Sequence, residues 1–307
     1  MKRVQRLVWI ALLALLAAGG IVAAWRWLEE PAGQLAHIAQ FGDNPTSLAM
    51  HLYVPPRLAA RPAVLLALHW CQGSGPDFHA TTRYAQLADR HGFIVIYPSV
   101  TRASRCWDVH SPAALTHGGG SDPQGLLSML GYVMQHHPAD PERVFVTGHS
   151  SGGMMTQLLL GAYPDVFRAG AAQAGVPFGC FAGAEEWHEP CAQGQVTMTA
   201  QQWGELVRQA YPGFTGRRPA VQLWHGTADD GLSFRNFGES IKQWSNVLGT
   251  AASPAATAQD VPRRAWTRQR YVDARGEVRL ETYRGQGEPH NFRMSEETVM
   301  GFFGLDR

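Results

Sequence analysis

A serine, a carboxylate and a histidine occur in this 307-residue chain in an order that suits nucleophilic ester hydrolysis. Ser150 lies at the centre of Gly148-His149-Ser150-Ser151-Gly152. The run Val144-Phe-Val-Thr147 precedes it, and a helix-like run from Met154 to Leu160 follows. Strand, G-x-S-x-G and helix is the layout of a nucleophile elbow, whose tight turn pushes the serine hydroxyl out above a sheet edge. Gly148 and Gly152 must be small there, because a Cβ would collide with the neighbouring strand or helix. A Gly-rich β–α turn without chemistry matches the same residues, so the partners decide.

The partners follow in the order that such a sheet requires, Ser, then acid, then His. Asp229 stands in His225-Gly-Thr-Ala-Asp229-Asp230, just after the strand-like run Ala220–Trp224, with Asp230 as the competing acid. His290 ends Gly285-Gln-Gly-Glu-Pro-His290 and follows both the elbow and the acid turn, as none of the other twelve histidines does after the last strand. In such a triad the histidine takes the serine proton, the carboxylate orients the histidine, and backbone N–H groups hold the oxyanion. The Ser151 amide, at the head of the elbow helix, is one donor, and the Ser151 side chain is expected to be expendable. The second donor is expected in Trp70-Cys71-Gln72, after the strand ending at His69, with Cys71 preferred. Trp107, beside Cys106, is expected at the cleft mouth, where it and Trp70 would meet the substrate.

The elements that must position these residues alternate between strand and helix. Leu35–Phe41 and Leu48–Val54 read as an antiparallel edge hairpin around Gly42-Asp-Asn-Pro45. Ala63–His69 and Phe93–Tyr97 are continuously apolar up to their ends, as strands covered on both faces should be, and Thr81–His91 between them has helical spacing. Residues 98–121 read as loop, and Ser121-Asp122-Pro123 predicts a helix start with a side-chain cap, the helix running to His136. Ala169–Ala174 predicts a strand, and 176–217 an insertion or cap. A helix over Phe237–Val247, a mobile loop over Ala251–Ala258, strands Ala265–Val272 and Val278–Tyr283, and a closing helix Ser295–Phe303 complete the chain. This alternation predicts an α/β class, with a mostly parallel sheet flanked by helices.

Composition excludes some partners. A net charge of +1, with no basic patch after residue 6, argues against nucleic acid. Lys2, Arg3 and Arg6 precede the uncharged run Leu7–Trp25, the layout of an export signal with cleavage expected after Ala24. Left uncut, the run is nearly long enough to anchor the protein in a membrane, and either outcome puts the body outside the cytoplasm. The expected organisation is a signal peptide or anchor over 1–24, a linker over 25–34 and one esterase domain over 35–307. Four cysteines in an exported chain read as two disulfides, with three connectivities open. Cys180 and Cys191 are the local pair, which leaves Cys71 with Cys106. No metal or cofactor is expected.

Several motifs together resemble a known group. They are His69-Trp-Cys-Gln-Gly-Ser-Gly75, Gly92-Phe-Ile-Val-Ile-Tyr-Pro98, Cys106-Trp-Asp108, Gly148-His-Ser-Ser-Gly-Gly-Met-Met155, Tyr163-Pro-Asp-Val-Phe167 and His225-Gly-Thr-Ala-Asp229. Val176-Pro-Phe-Gly-Cys180, Cys191-Ala-Gln-Gly194, Trp203, Tyr211-Pro-Gly213 and Lys242-Gln-Trp244 extend the set. The chain resembles the PHB depolymerase-type esterases, which include the acetylxylan and feruloyl esterases of carbohydrate esterase family 1, and is most similar to the acetylxylan branch. The resemblance implies an α/β-hydrolase fold and a metal-free serine esterase with Ser150 as nucleophile, Asp229 as acid and His290 as base. The implied substrate is an acylated xylan or oligosaccharide. Trp70 departs from the His-Gly-Cys form of the polyester enzymes, which leaves a polyhydroxybutyrate-type depolymerase as the alternative. A non-catalytic envelope protein on the same scaffold is the alternative of a different class.

Overall fold

Strands without a polar face need cover on both sides, and the sheet they form is the frame of this molecule. The computed structural model describes residues 33–306. The expected leader (1–24) and most of the linker (25–34) therefore lie outside the described residues.

Ten strands form one sheet in the order β1-β2-β4-β3-β5-β6-β7-β10-β9-β8. They are β1 (Leu35–Ile38), β2 (Ala49–Tyr53), β3 (Val64–Leu68), β4 (Ile94–Ser99) and β5 (Val144–His149), then β6 (Ala169–Gln173), β7 (Ala220–Gly226), β8 (Ala256–Gln259), β9 (Trp266–Val272) and β10 (Val278–Gly285). The six strands from β4 to β10 in that order pair in parallel. Antiparallel strands close both edges.

The helices are α1 (Gly75–Thr81), α2 (Tyr84–His91), α3 (Ser121–His136), α4 (Ser151–Ala162), α5 (Glu189–Ala192), α6 (Ala200–Ala210), α7 (Arg235–Leu248) and α8 (Glu296–Phe303). Alternation along β3 divides the core. Val64, Leu66 and Leu68 face one side, with Leu126 and Met129 of α3 and Leu158 of α4. Leu65 and Ala67 face the other, with Phe78, Leu87 and Val299 from α1, α2 and α8.

Three expectations are corrected. The helix read over Thr81–His91 begins at Tyr84, and a separate α1 that the reading lacked precedes it, capped by Ser74, which accepts the Asp77 N–H at 3.2 Å, with proline in its first turn. Part of the loop read over Ala251–Ala258 is strand β8, because backbone pairing from Ala256↔Arg270 to Gln259↔Thr267 outweighs weak strand-forming side chains. The start of α3 carries no side-chain cap. Asp122 is instead fully buried, where it accepts two hydrogen bonds from Arg102 and one from the Asp108 N–H.

The insertion over 176–217 carries α5 and α6 and is stapled by the Cys180–Cys191 disulfide. Buried amides weld it to the elbow helix. Gln243 accepts the Phe178 N–H at 2.8 Å and donates to the carbonyls of Phe178 and Trp203, both at 3.0 Å. Trp244 donates to Gln157 at 2.8 Å, and Gln157 donates to the Val176 carbonyl at 2.7 Å. Gln243→Leu takes the side-chain partner from the buried Phe178 N–H and carbonyl, at about 1–3 kcal/mol for each unsatisfied group. Thermal unfolding of that variant is expected to show a midpoint roughly 5–10 °C lower; an unchanged midpoint would refute the weld.

Candidate active site

The parallel strands end along one row. Leu68 pairs with Gly148, Gly148 with Ala172, Ala172 with Leu223, and Leu223 with Thr282. After β3 the chain first lays β4 on one side, then returns to lay β5 on the other. Such a reversal opens a crevice beyond the carboxyl ends of the strands. The turn after β3 carries Trp70 and Cys71, and the turn after β5 carries Ser150.

Ser150 has φ 56° and ψ −118°, a left-handed conformation that side-chain-bearing residues rarely adopt. Backbone proximity enforces it. A Cβ on Gly152 would lie 2.2 Å from the Leu68 carbonyl oxygen, and one on Gly148 would lie 2.4 Å from that of Gly152. The Ser150 N–H is held by the Gln173 carbonyl at 2.9 Å, so the hydroxyl is left to face the crevice.

His290 Nε2 lies 2.8 Å from Ser150 Oγ, and His290 Nδ1 lies 2.8 and 2.9 Å from the two Asp229 oxygens. A carboxylate only accepts, so Nδ1 carries the proton and Nε2 accepts from the serine hydroxyl. Asp229 also accepts the amides of Gly231 (2.9 Å) and Leu232 (2.7 Å). Burial alone would raise the Asp229 pKa, but hydrogen bonds from His225, His290 and the Leu232 amide hold it far below the usual carboxylate range. Asp230 is exposed at the surface.

The acid turn and the histidine loop are zipped together. Thr227 N–H donates to the Gly285 carbonyl (2.8 Å), Ala228 N–H to that of Glu288 (3.0 Å), and Gly287 N–H to Thr227 Oγ1 (2.8 Å). Trp266 holds Glu288 from outside through its indole N–H at 2.9 Å.

Two histidines carry parts that the sequence reading did not assign. His225, nearly fully buried, has Nε2 at 3.0 Å from Asp229 and 2.9 Å from the Leu232 carbonyl, so it donates to two acceptors behind the carboxylate. His69 donates from Nδ1 to the Trp70 carbonyl at 2.6 Å and accepts the Val100 N–H at Nε2. The Trp70 carbonyl and the Cys71 N–H belong to one peptide plane, so His69 orients the expected oxyanion donor. At His69 the available signal was a polar residue directly after a wholly apolar strand; at His225 it was a histidine near the end of β7, which also carries Gln222. The Cys71–Cys106 disulfide braces the same turn from outside.

Trp107 is not at the cleft mouth. It is 2% exposed, and its indole N–H donates to the His69 carbonyl at 2.8 Å, so it packs beneath the turn instead of meeting substrate. Its backbone N–H donates to Ser151 Oγ at 2.8 Å, which gives the Ser151 hydroxyl a structural task that sequence reasoning treated as expendable. Trp70 is half-buried and lines a cavity of about 450 Å³ beside the triad, together with His149, Asn291, Phe292, Arg293 and Met294.

A strained serine on a strand-to-helix turn, with a histidine and a carboxylate in line at the carboxyl edge of a parallel sheet, defines the class as a serine-hydrolase architecture on an α/β-hydrolase fold. The profile described as Esterase PHB depolymerase matches residues 48–194. Feruloyl esterase B of Thermothelomyces thermophilus is 44% identical over 279 residues, covering 89% of this chain and 94% of that protein. Acetylxylan esterase of Coprinopsis cinerea is 44% identical over 283 residues, covering 90% of this chain and 75% of its own. The solved acetyl xylan esterase of Aspergillus awamori superposes with a TM-score of 0.84 at 36% identity, over 89% of this chain and all of that one. The chain belongs to the PHB depolymerase-type esterase family and is a carboxylic ester hydrolase.

Two outcomes follow from this geometry. Ser151→Ala strips the acceptor from the buried Trp107 N–H and is expected to cost about 1–3 kcal/mol in denaturant unfolding; unaltered stability would refute the hydroxyl's role. Burial lowers the pKa of His69 to about 4, and burial with the nearby His290 lowers that of His149 to about 3. The unfolded chain takes up these protons near pH 6.5, above the folded values, so stability is full above that pH and falls as pH drops toward 4. His69 accounts for roughly 3 kcal/mol of this loss. The melting temperature of wild type is expected to fall between pH 6.5 and 4, with a shallower slope in His69→Gln; parallel slopes would refute the assignment.

Proposed function

We propose that this enzyme removes acetyl or hydroxycinnamoyl groups from xylan or xylo-oligosaccharides, with Ser150 as nucleophile, His290 as base and Asp229 as its orienting acid. The observation that carries the proposal is the continuous line from Ser150 Oγ through His290 to the Asp229 carboxylate, with each step at 2.8–2.9 Å. His290 accepts the hydroxyl proton as Ser150 Oγ attacks the ester carbonyl. The amides of Cys71 and Ser151 hold the oxyanion, which is where preorganised donors lower the barrier most. Collapse of the tetrahedral intermediate expels the sugar alcohol with the proton from His290. Water, deprotonated by the same histidine, then releases the acid and restores the serine.

The substrate assignment is supported by the family members named acetylxylan and feruloyl esterases at 38–44% identity. Trp70 and the cavity beside it are proposed to contact the substrate, whereas Trp107 acts from beneath, through packing and its hydrogen bonds to the His69 carbonyl and Ser151 Oγ. Action outside the cytoplasm is part of the proposal and is supported by two disulfides. Among the described residues no helix is long and apolar enough to cross a membrane. One esterase domain over 35–307 behind a leader at 1–24 is the proposed organisation.

The wild type is expected to cleave p-nitrophenyl acetate and to release acetate from acetylated xylan, or ferulate from methyl ferulate, faster than it cleaves hydroxybutyrate oligomers. Ser150→Ala is expected to lose at least about 10⁴-fold in kcat. A Ser150→Ala protein as active as wild type would overturn the triad. Preference for hydroxybutyrate oligomers would overturn the substrate.

A further inference from the structure

Of the large apolar side chains among the described residues, only Trp187 and Val278 are substantially exposed, and the two differ in place. Val278 opens β10, at the end of the sheet away from Ser150. Trp187 is 51% exposed on the insertion, while Trp107, Trp203, Trp224, Trp244 and Trp266 are all buried.

The Trp187 ring is held in position. Its indole N–H donates to Glu189 at 2.7 Å, and the buried Phe181 ring meets it edge-on at 5.4 Å and 83°. The Cys180–Cys191 disulfide closes the loop around it, and His188 is hydrogen-bonded to the Cys180 carbonyl at 3.1 Å. The loop also reaches the active-site rim. Glu186 accepts a hydrogen bond from Ser104 Oγ, and the Ser104 carbonyl accepts from the Gln72 amide (3.2 Å) and side chain (2.8 Å). Gln72 directly follows Cys71, the proposed oxyanion donor. Nearby, Gly183 N–H donates to the His110 carbonyl at 3.1 Å. Two contacts therefore separate the Trp187 loop from the turn over which an ester carbonyl would sit.

We propose that Trp187 is the stacking platform of a glycan subsite, taking a neutral pyranose of the substrate chain beyond the acylated sugar. An exposed indole whose orientation is already set loses little freedom on binding, and its flat apolar face matches the C–H face of a pyranose. Glu185, Glu186 and Glu189 flank it in the chain. These carboxylates accept from sugar hydroxyls and repel acidic sugars, which selects a neutral chain such as xylan over a uronate-rich one. A platform of this kind has its ligand only if the enzyme acts on acylated xylan, as proposed above.

The test compares Trp187→Ala and Trp187→Phe with wild type on acetylated xylo-oligosaccharides and on p-nitrophenyl acetate, which has no sugar chain. Trp187→Ala is expected to lower the ratio of kcat/KM on the oligosaccharide to that on p-nitrophenyl acetate about tenfold, mainly through KM, with Trp187→Phe recovering most of it. Calorimetric titration of unacetylated xylohexaose into Ser150→Ala protein is expected to show binding that the added Trp187→Ala change abolishes. An equal loss on both substrates, or no loss on either, would overturn the platform. Wild type that cleaves p-nitrophenyl acetate but is inert on acetylated xylo-oligosaccharides would overturn the substrate reading and the platform with it. That outcome is read in wild type alone, before any change at Trp187.

Discussion

The turn at Ser150 has no room for an alternative backbone. Gly148 and Gly152 bring the elbow against itself and against the carbonyls ending β3, at distances no Cβ could occupy. The serine is left in a left-handed conformation that costs of order 1–3 kcal/mol and persists because the sheet and α4 fix both sides. That strain aims the hydroxyl, and every other feature of the site is arranged around where it points. The contact that makes the turn narrow also places the Trp70–Cys71 peptide next to it. The proposed nucleophile and the proposed oxyanion donor are thus two ends of one close approach between β3 and α4.

A second constraint fixes His290, the proposed base. Asp229 collects N–H donors from His225, His290, Gly231 and Leu232, which keeps it ionised and rotationally fixed inside the fold. An ionised, oriented carboxylate sets the tautomer of His290 and so leaves Nε2 as the acceptor. The loop bearing His290 starts from β10, three strands from β5 and therefore about 14 Å away. Its hydrogen bonds to the acid turn over Thr227 and Ala228 carry it back across that gap.

Behind these contacts lies a layer whose task is stiffness. Arg102 and the buried Asp122 clamp the 102–108 segment, Trp107 bonds both the His69 carbonyl and the Ser151 hydroxyl, and a disulfide joins the segment to Cys71. On the other flank the insertion is fastened to α4 and α7 by buried glutamines and tryptophans. The two flanks meet where Glu186 touches Ser104, which makes the rim of the crevice a joint product of separate chain segments.

Much of this was legible in the residues themselves. Apolar runs such as Ala63–His69 declare buried parallel strands because nothing polar interrupts them, and Gly-x-Ser-x-Gly declares a turn because only glycine tolerates the approach it needs. Chain order singled out the acid turn at Asp229-Asp230 and His290, and local spacing paired the cysteines. The Trp107 side chain was misread because an aromatic next to a cysteine carries no mark of which way it faces. The hydroxyl of Ser151 and the imidazoles of His69 and His225 were passed over because no local pattern marks their partners, which lie from one residue away (Trp70 for His69) to 44 (Trp107 for Ser151). Sequence by itself determined most of the elements, their order and the chemistry available, since those follow from local patterns of polarity and backbone freedom, while α1 and β8 escaped it. Tertiary structure alone decided which of two adjacent aspartates faces the histidine and which tryptophans are buried, since burial depends on contacts between residues far apart in the chain.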